Sequence, residues 1–216
     1  MSLNVSEIFY SLQGESTYAG MPCVFVRLYG CNLSCSWCDT CYAKDKDGIS
    51  REMDINTILE KVKSFNCPLV EITGGEPLIQ EDTPALAKTL VRDGFIVLVE
   101  TNGSLPINRI TRQCIRIVDI KCPSSNECQK NYYDNLSFLT KSDEIKFVIA
   151  DRRDYEFAVN TLKPITHISD KKIHISPVAG TISPELIAQW MLKDNLKARL
   201  SLQLHKIIWG PQAKGV

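Results

Sequence analysis

The sequence carries no excess of charge in either direction. Lysine plus arginine and aspartate plus glutamate number 25 each. No summed field therefore draws the chain onto a phosphate backbone or an anionic membrane, and nucleic acid is not an expected partner. Residues 1–7 lack the basic stretch and apolar run of a secretory signal, and no uninterrupted apolar segment approaches bilayer-spanning length. No membrane association and a cytoplasmic location are the expectation. Internal repeats and low-complexity tracts are also lacking. Nor do 216 residues suffice for two generous cores or for the eight strand–helix units of a full (β/α) barrel. One domain over residues 1–216 is expected.

Cysteine is plentiful, at nine residues. In a reducing cytoplasm these do not form a disulfide framework, so metal ligation is the leading reading for any cluster of them. Apolar runs with strand character recur at 23–29, 69–73, 95–101, 115–120, 145–149 and 172–176. Between several of them apolar residues return every three to four positions, as at Ile55, Ile58, Leu59 and Val62, at Leu86, Leu90 and Val91, and at Tyr155, Ala158, Val159 and Leu162. Ser183 followed by Pro184 marks a further helix start, and Gly94 after Asp93 a helix end. Strands alternating with helices imply an α/β fold with a parallel sheet, either open and doubly wound or curled. A trimmed partial (β/α) barrel of about six strands is the curled form that this length permits.

The chemistry concentrates where the first strong strand ends. Cys31, Cys35 and Cys38 are separated by three and then two residues, a spacing that wraps one loop around a cubane and ligates three of its irons. The fourth iron is then open to a substrate or cofactor. A zinc site with Cys41 as fourth ligand is the competing reading, although tetrahedral zinc usually joins two separated knuckles. Cys23, Cys67, Cys114, Cys122 and Cys128 are scattered and read as small hydrophobes. The Cys-x3-Cys-x2-Cys loop, with Trp37 before its last cysteine, resembles the defining motif of the radical S-adenosylmethionine superfamily. That resemblance implies a 4Fe-4S cluster on Cys31, Cys35 and Cys38, whose open iron chelates the methionine moiety of S-adenosylmethionine, with Trp37, Cys38 and Asp39 beside the cofactor.

A second motif follows one helix later. The run from Leu69 leads into Thr73-Gly74-Gly75-Glu76-Pro77, and its paired glycines leave backbone bare for close approach by a ligand. In the superfamily such a Gly-Gly-Glu-Pro segment contacts the methionine amino group, which implies that role for Gly74, Gly75 and Glu76. Glu100-Thr-Asn102-Gly and Asp119-Ile-Lys121-Cys-Pro123-Ser close the next two strands with groups able to meet a ribose hydroxyl or a carboxylate. Ser176 and Pro177 close the last one and are candidates for the adenine pocket.

The stretch from Ile8 to Ser16, Arg27 within an apolar strand, Cys38-Asp39-Thr40, and the ending Gln203-Leu-His205-Lys-Ile-Ile-Trp209-Gly210 together resemble the 7-carboxy-7-deazaguanine synthase family. The resemblance implies a homodimer that converts 6-carboxy-5,6,7,8-tetrahydropterin to 7-carboxy-7-deazaguanine with loss of ammonia. This is a lyase step of queuosine biosynthesis, and a flavodoxin or ferredoxin supplies the electron. It implies substrate contacts at Leu12, Gln13, Gly14, Glu15, Arg27, Thr73, His205 and the Val216 carboxylate, with Glu15 and Arg27 catalytic and Thr40 holding Mg2+. The chemistry is consistent: a pterin's amide and amino edge offers donors to a carboxylate such as Glu15, and Gln13 both donates and accepts. Arg27, alternating with Val24, Val26 and Leu28, needs an anionic partner, either the substrate carboxylate or a buried salt bridge. Two rival readings remain: a radical S-adenosylmethionine activase acting on a glycine of a partner protein, and a non-enzymatic zinc or iron–sulfur module. Cys41 is one thiol more than the three-cysteine motif requires.

Overall fold

The computed structural model describes residues 1–44, 50–210, 213 and 215. Nine strands form one sheet: β1 (Ser2–Leu12), β2 (Pro22–Leu28), β3 (Arg51–Asp54), β4 (Leu69–Gly74), β5 (Ile96–Thr101), β6 (Ile115–Asp119), β7 (Glu144–Ile149), β8 (Ile173–Pro177) and β9 (Arg199–Leu200). Their spatial order is β3-β1-β2-β4-β5-β6-β7-β8-β9. From β2 onward every pairing in that order is parallel, while β1 is antiparallel to both β2 and β3. The six expected strands are all present within a residue or two of their predicted bounds.

Three strands were not expected. In β1 the buried residues are Leu3, Val5 and then Ile8, and the register shifts between Val5 and Glu7. A bulge of this kind reverses which parity faces the core, so the alternation that announces a strand is broken midway. β3 buries none of its four residues, and β9 has only two.

The described residues also form helices α1 (Ile55–Lys63), α2 (Thr83–Arg92), α3 (Asn135–Phe138), α4 (Arg152–Leu162), α5 (Pro184–Lys193) and α6 (Leu204–Ile208). Asp54 caps α1 by accepting from the amides of Asn56 and Thr57, and Ser183 caps α5 by accepting from Glu185. The faces that sequence spacing assigned to the core are the ones buried: Ile58 and Val62 on α1, Leu86 and Leu90 on α2, Tyr155 and Ala158 on α4. Gly94 has φ +94°, as the close of α2 requires.

The sheet curls. Phe25 and Arg27 of β2, Thr73 of β4, Glu100 of β5, Asp119 of β6 and Lys146 of β7 all line one cavity, and among the described residues no pairing closes β3 onto β9. The result is an open, partial barrel. It is trimmed on its outer layer as well: β5 passes to β6 through a single 3-10 turn at Ile107–Arg109, and β6 to β7 through short turns and the four-residue α3. Arg116 of β6 fills the gap. Fully buried, it pairs with Asp143 at 2.5 Å and donates to the carbonyls of Phe138 and Ile107.

Candidate active site

Parallel strands deliver their C-terminal ends to one rim, and the sequence motifs collect there. Cys31 follows β2, Gly75 follows β4, Asn102 follows β5 and Lys121 follows β6. The cavity under this rim has a volume of about 520 Å³ and is lined by Cys31, Cys35 and Cys38 at the cluster loop. Of the residues singled out in sequence, Leu12, Gln13, Gly14, Glu15, Arg27, Trp37, Asp39, Thr40, Thr73, Gly74, Gly75, Asn102, Lys121 and His205 also line it. Glu76, Pro123, Ser176 and Pro177 lie outside the lining, and Val216 lies outside the described residues.

The paired glycines serve the chain itself. A Cβ on Gly75 would lie 2.2 Å from the Gly30 carbonyl oxygen and 2.7 Å from Cys31 Cβ, and one on Gly74 would lie 2.2 Å from the Leu28 carbonyl oxygen. Their bare faces let β4 close against the start of the cluster loop, where Glu76 N–H donates to the Gly30 carbonyl at 2.8 Å. The Glu76 carboxylate is fully buried and accepts from Leu78 N–H, Thr101 Oγ1 and Asn102 N–H. This carboxylate is a strut between the ends of β4 and β5. Asn102 in turn points Nδ2 at Cys31 Sγ, 3.8 Å away.

The three thiols are mutual neighbours, and burial pushes Cys31 and Cys35 up, with the Lys121 ammonium opposing that rise at Cys35. Burial disfavours the charge of Lys121, yet Asp119 at 2.7 Å keeps the ammonium firmly protonated. Cys41 is exposed, lies off the cavity and donates Sγ–H to the Cys38 carbonyl at 3.2 Å. The donor set thus fits a group held by three soft ligands. Two buried polar atoms near the rim, Asp119 Oδ1 and Ser176 Oγ, have no hydrogen-bond partner among the described residues, which fits a polar ligand above β6 and β8.

Below the thiols the cavity floor is charged. The 13–21 loop joins β1 to β2 at the opposite end of the barrel from the cluster, and projects into the lumen. Gln13 donates Nε2 to Glu71 and accepts from Glu15 N–H at 3.0 Å. Glu15 is ion-paired with Lys146 at 2.5 Å and accepts from Gln203 Nε2 at 2.8 Å. Burial opposes its ionisation, but Lys146 and Gln203 outweigh burial and hold the carboxyl below its usual range. Lys146 also pairs with Glu100 at 2.7 Å. Burial, with Glu100 and Glu15 nearby, pushes Glu71 well above the carboxylate range. Asp39 is exposed at its side chain, and Lys206 at 2.6 Å holds it down to about 2 against partial desolvation. Thr40 donates Oγ1 to Asp39 at 3.0 Å.

Arg27 has a counter-ion within the chain, Glu7, 2.7 Å from Nε, and lies over the rings of Phe9 and Tyr42 at 5.7 and 5.9 Å. Tyr42 donates its hydroxyl to the same Glu7 oxygen at 2.7 Å. The salt-bridge alternative is therefore realised, and Arg27 lines the cavity with its charge already balanced. His205 abuts Gly14, where a Cβ would lie 2.1 Å from Nδ1, and burial lowers its basicity against a smaller opposing effect of Glu15.

Sequence reading missed Lys146, Glu71, Glu7 and Tyr42, and named Glu100 and Gln203 only within longer segments, without their roles in the cavity floor. A signal existed for two of them: Glu71 and Lys146, like Arg27, are charges at inward positions of otherwise apolar strands. Glu7 and Tyr42 carried none.

A strand-end loop with three thiols beside a glycine-lined backbone is the arrangement of radical S-adenosylmethionine proteins, and the Radical SAM superfamily model matches residues 25–120. At finer grain, the chain is 43% identical over 99% of its length to the 7-carboxy-7-deazaguanine synthase of Chlorobaculum tepidum, covering 97% of that protein. It is 44% identical to that of Koribacter versatilis, covering 99% of this chain and 100% of the relative. Its fold is similar to the crystal structure of QueE from Escherichia coli, with a TM-score of 0.77, 25% identity and 95% of each chain covered. The chain belongs to the 7-carboxy-7-deazaguanine synthase family.

Proposed function

We propose that this protein converts 6-carboxy-5,6,7,8-tetrahydropterin to 7-carboxy-7-deazaguanine with release of ammonia, as a radical S-adenosylmethionine lyase of queuosine and related 7-deazapurine biosynthesis. One observation carries the reading: a single cavity has three thiols at its rim and, at its floor, a carboxamide and ion pairs from Gln13, Glu15, Arg27 and Lys146. Family membership supports it. Held by Cys31, Cys35 and Cys38, a 4Fe-4S cluster would supply the electron that cleaves bound S-adenosylmethionine and so starts hydrogen abstraction from the substrate.

The chain's own residues bind and orient. Glu15, ionised and fixed by Lys146, accepts from the pterin's amide and amino edge, and Gln13 is braced on Glu71 to read the same edge. Arg27 meets the substrate carboxylate with guanidinium donors beyond the one that Glu7 uses. Thr73 and His205 complete the pterin's surroundings, with Leu12 and Gly14 lining the same wall. Asp119 and Ser176 accept cofactor hydroxyls. Thr40 contributes an oxygen to Mg2+ beside the substrate. Pro123 and Pro177 act from behind by setting the strand-end turns. The reading includes a single domain, a cytoplasmic homodimer and a flavodoxin or ferredoxin donor. No helix among the described residues is long and apolar enough to cross a membrane. No feature of the cavity favours the activase or the zinc module.

The test is anaerobic reconstitution followed by incubation with 6-carboxytetrahydropterin, S-adenosylmethionine, Mg2+ and reductant. The deazaguanine acid is expected by mass. A protein that cleaves S-adenosylmethionine but never yields that product would overturn the assignment.

A further inference from the structure

Beneath Lys146, on the same face of β7, lies a second buried charge that the proposed chemistry does not use. Glu144 is fully buried. Its Oε2 accepts from the backbone N–H of Thr17 at 3.0 Å, and its Oε1 accepts from the Thr17 hydroxyl. His174, on the adjacent β8 and almost equally buried, brings Nε2 to 2.8 Å from Glu144 Oε2. Burial opposes the carboxylate's charge, while His174 and Thr17 outweigh it and keep Glu144 ionised.

Side chains two apart on a strand share a face. Lys146 and Glu144 therefore present a cation and an anion one pleat apart, and the 13–21 loop answers with Glu15 and Thr17, also two apart. Between them Ser16 adopts φ +64°. A non-glycine residue in that region persists only where its surroundings over-determine it, and here contacts on both sides do so. The loop also has to cross the lumen: β7 lies four strand spacings from β2 in the sheet order. Nothing on β1 or β2 could hold its far side.

We propose that Glu144 and His174 are positioning residues that, through Thr17, lock the 13–21 loop onto β7 and so place Gln13 and Glu15 for the pterin. The inference rests on the reading above, in which those two residues recognise the substrate. His174 packs Nε2 against Glu144 and orients it, Glu144 fixes Thr17, and neither touches the reacting atoms. Cofactor binding at the opposite rim does not depend on them.

The experiment compares reconstituted wild type with Thr17→Val, Glu144→Gln and the double variant. Thr17→Val keeps branched shape at a half-buried site and removes only the hydroxyl, so it remains decisive if Glu144→Gln folds poorly. Each variant is expected to raise KM for 6-carboxytetrahydropterin about tenfold, with a smaller fall in kcat, because misplaced recognition groups weaken binding first. The double variant should be no worse than the poorer single, since both cut one link. Reductive cleavage of S-adenosylmethionine without substrate should run at the wild-type rate. Hydrogen exchange should accelerate at the 13–21 amides and not in β4 or β5. The proposal is overturned by KM values within about twofold of wild type with unchanged loop exchange, or by substrate-free cleavage falling in step with turnover. Should wild type make no product, the pterin assignment is what fails, and the exchange data alone decide whether Glu144 anchors the loop.

Discussion

A methyl group at position 14 has nowhere to go except into the His205 ring, and one at position 75 would meet carbonyl oxygen and Cys31 Cβ. The two positions should therefore respond differently. An imidazole can swing away, so Gly14→Ala is expected to retain iron and lose activity, measured as kcat/KM alongside iron content. Backbone cannot swing away, so Gly75→Ala should lower iron and sulfide per chain, seen in the anaerobic visible spectrum. Cys41, exposed and off the cavity, should tolerate Cys41→Ala without loss of iron; colourless protein would reopen the ligand set. At this scale the sequence was most informative where chemistry dictates spacing, as for the three thiols. It was least informative where a residue acts by facing another far along the chain. Glu7 meets Arg27 and Tyr42 only because β1 pairs with β2 and the cluster loop folds back over both.

Elements buried on both faces declared themselves by clustered β-branched and other apolar residues despite single inward polar groups, which is why β4, β7 and β8 were legible. A bulged strand, an exposed edge strand and a two-residue strand did not, because each lacks the periodicity on which such reading depends. The stunted crossovers were equally hidden. Arg116 does there what a helix does elsewhere, gathering backbone carbonyls that would otherwise be buried without donors. Arg116→Met would strand Asp143, which Arg116 and the Thr140 amide hold below the carboxylate range although burial opposes it. We expect a loss of about 3–5 kcal/mol, read from urea unfolding, with Asp143→Asn in the Arg116→Met background recovering part of it.

Across the whole molecule, balanced formal charge conceals an interior in which ions are sorted by place. Lys146 joins Glu15 and Glu100, and burial of its ammonium is outweighed by those carboxylates, so it stays protonated well beyond its ordinary range. The sign of the resulting pH dependence can be worked out. In the wild type Glu15 has a lowered pKa, so its contribution is present above the unfolded value and is lost only as pH falls through the folded one. Lys146→Met removes the cation, and burial then raises the Glu15 pKa, so stability is instead lost as pH rises through it. Glu71 and Glu76, both raised by burial, already make wild-type stability decline with pH, so between about pH 5 and 8 the variant's unfolding midpoint should fall more steeply than that of the wild type.

The 13–21 loop approaches the lumen from the end of the barrel remote from the thiols, and it is held by side chains from β7 and β8 rather than by the cluster loop. The segment proposed to read the pterin's flat edge and the segment that carries the thiols therefore enter the cavity from opposite ends, so a change of length or sequence in the 13–21 hairpin can be made without rewriting residues 31–38.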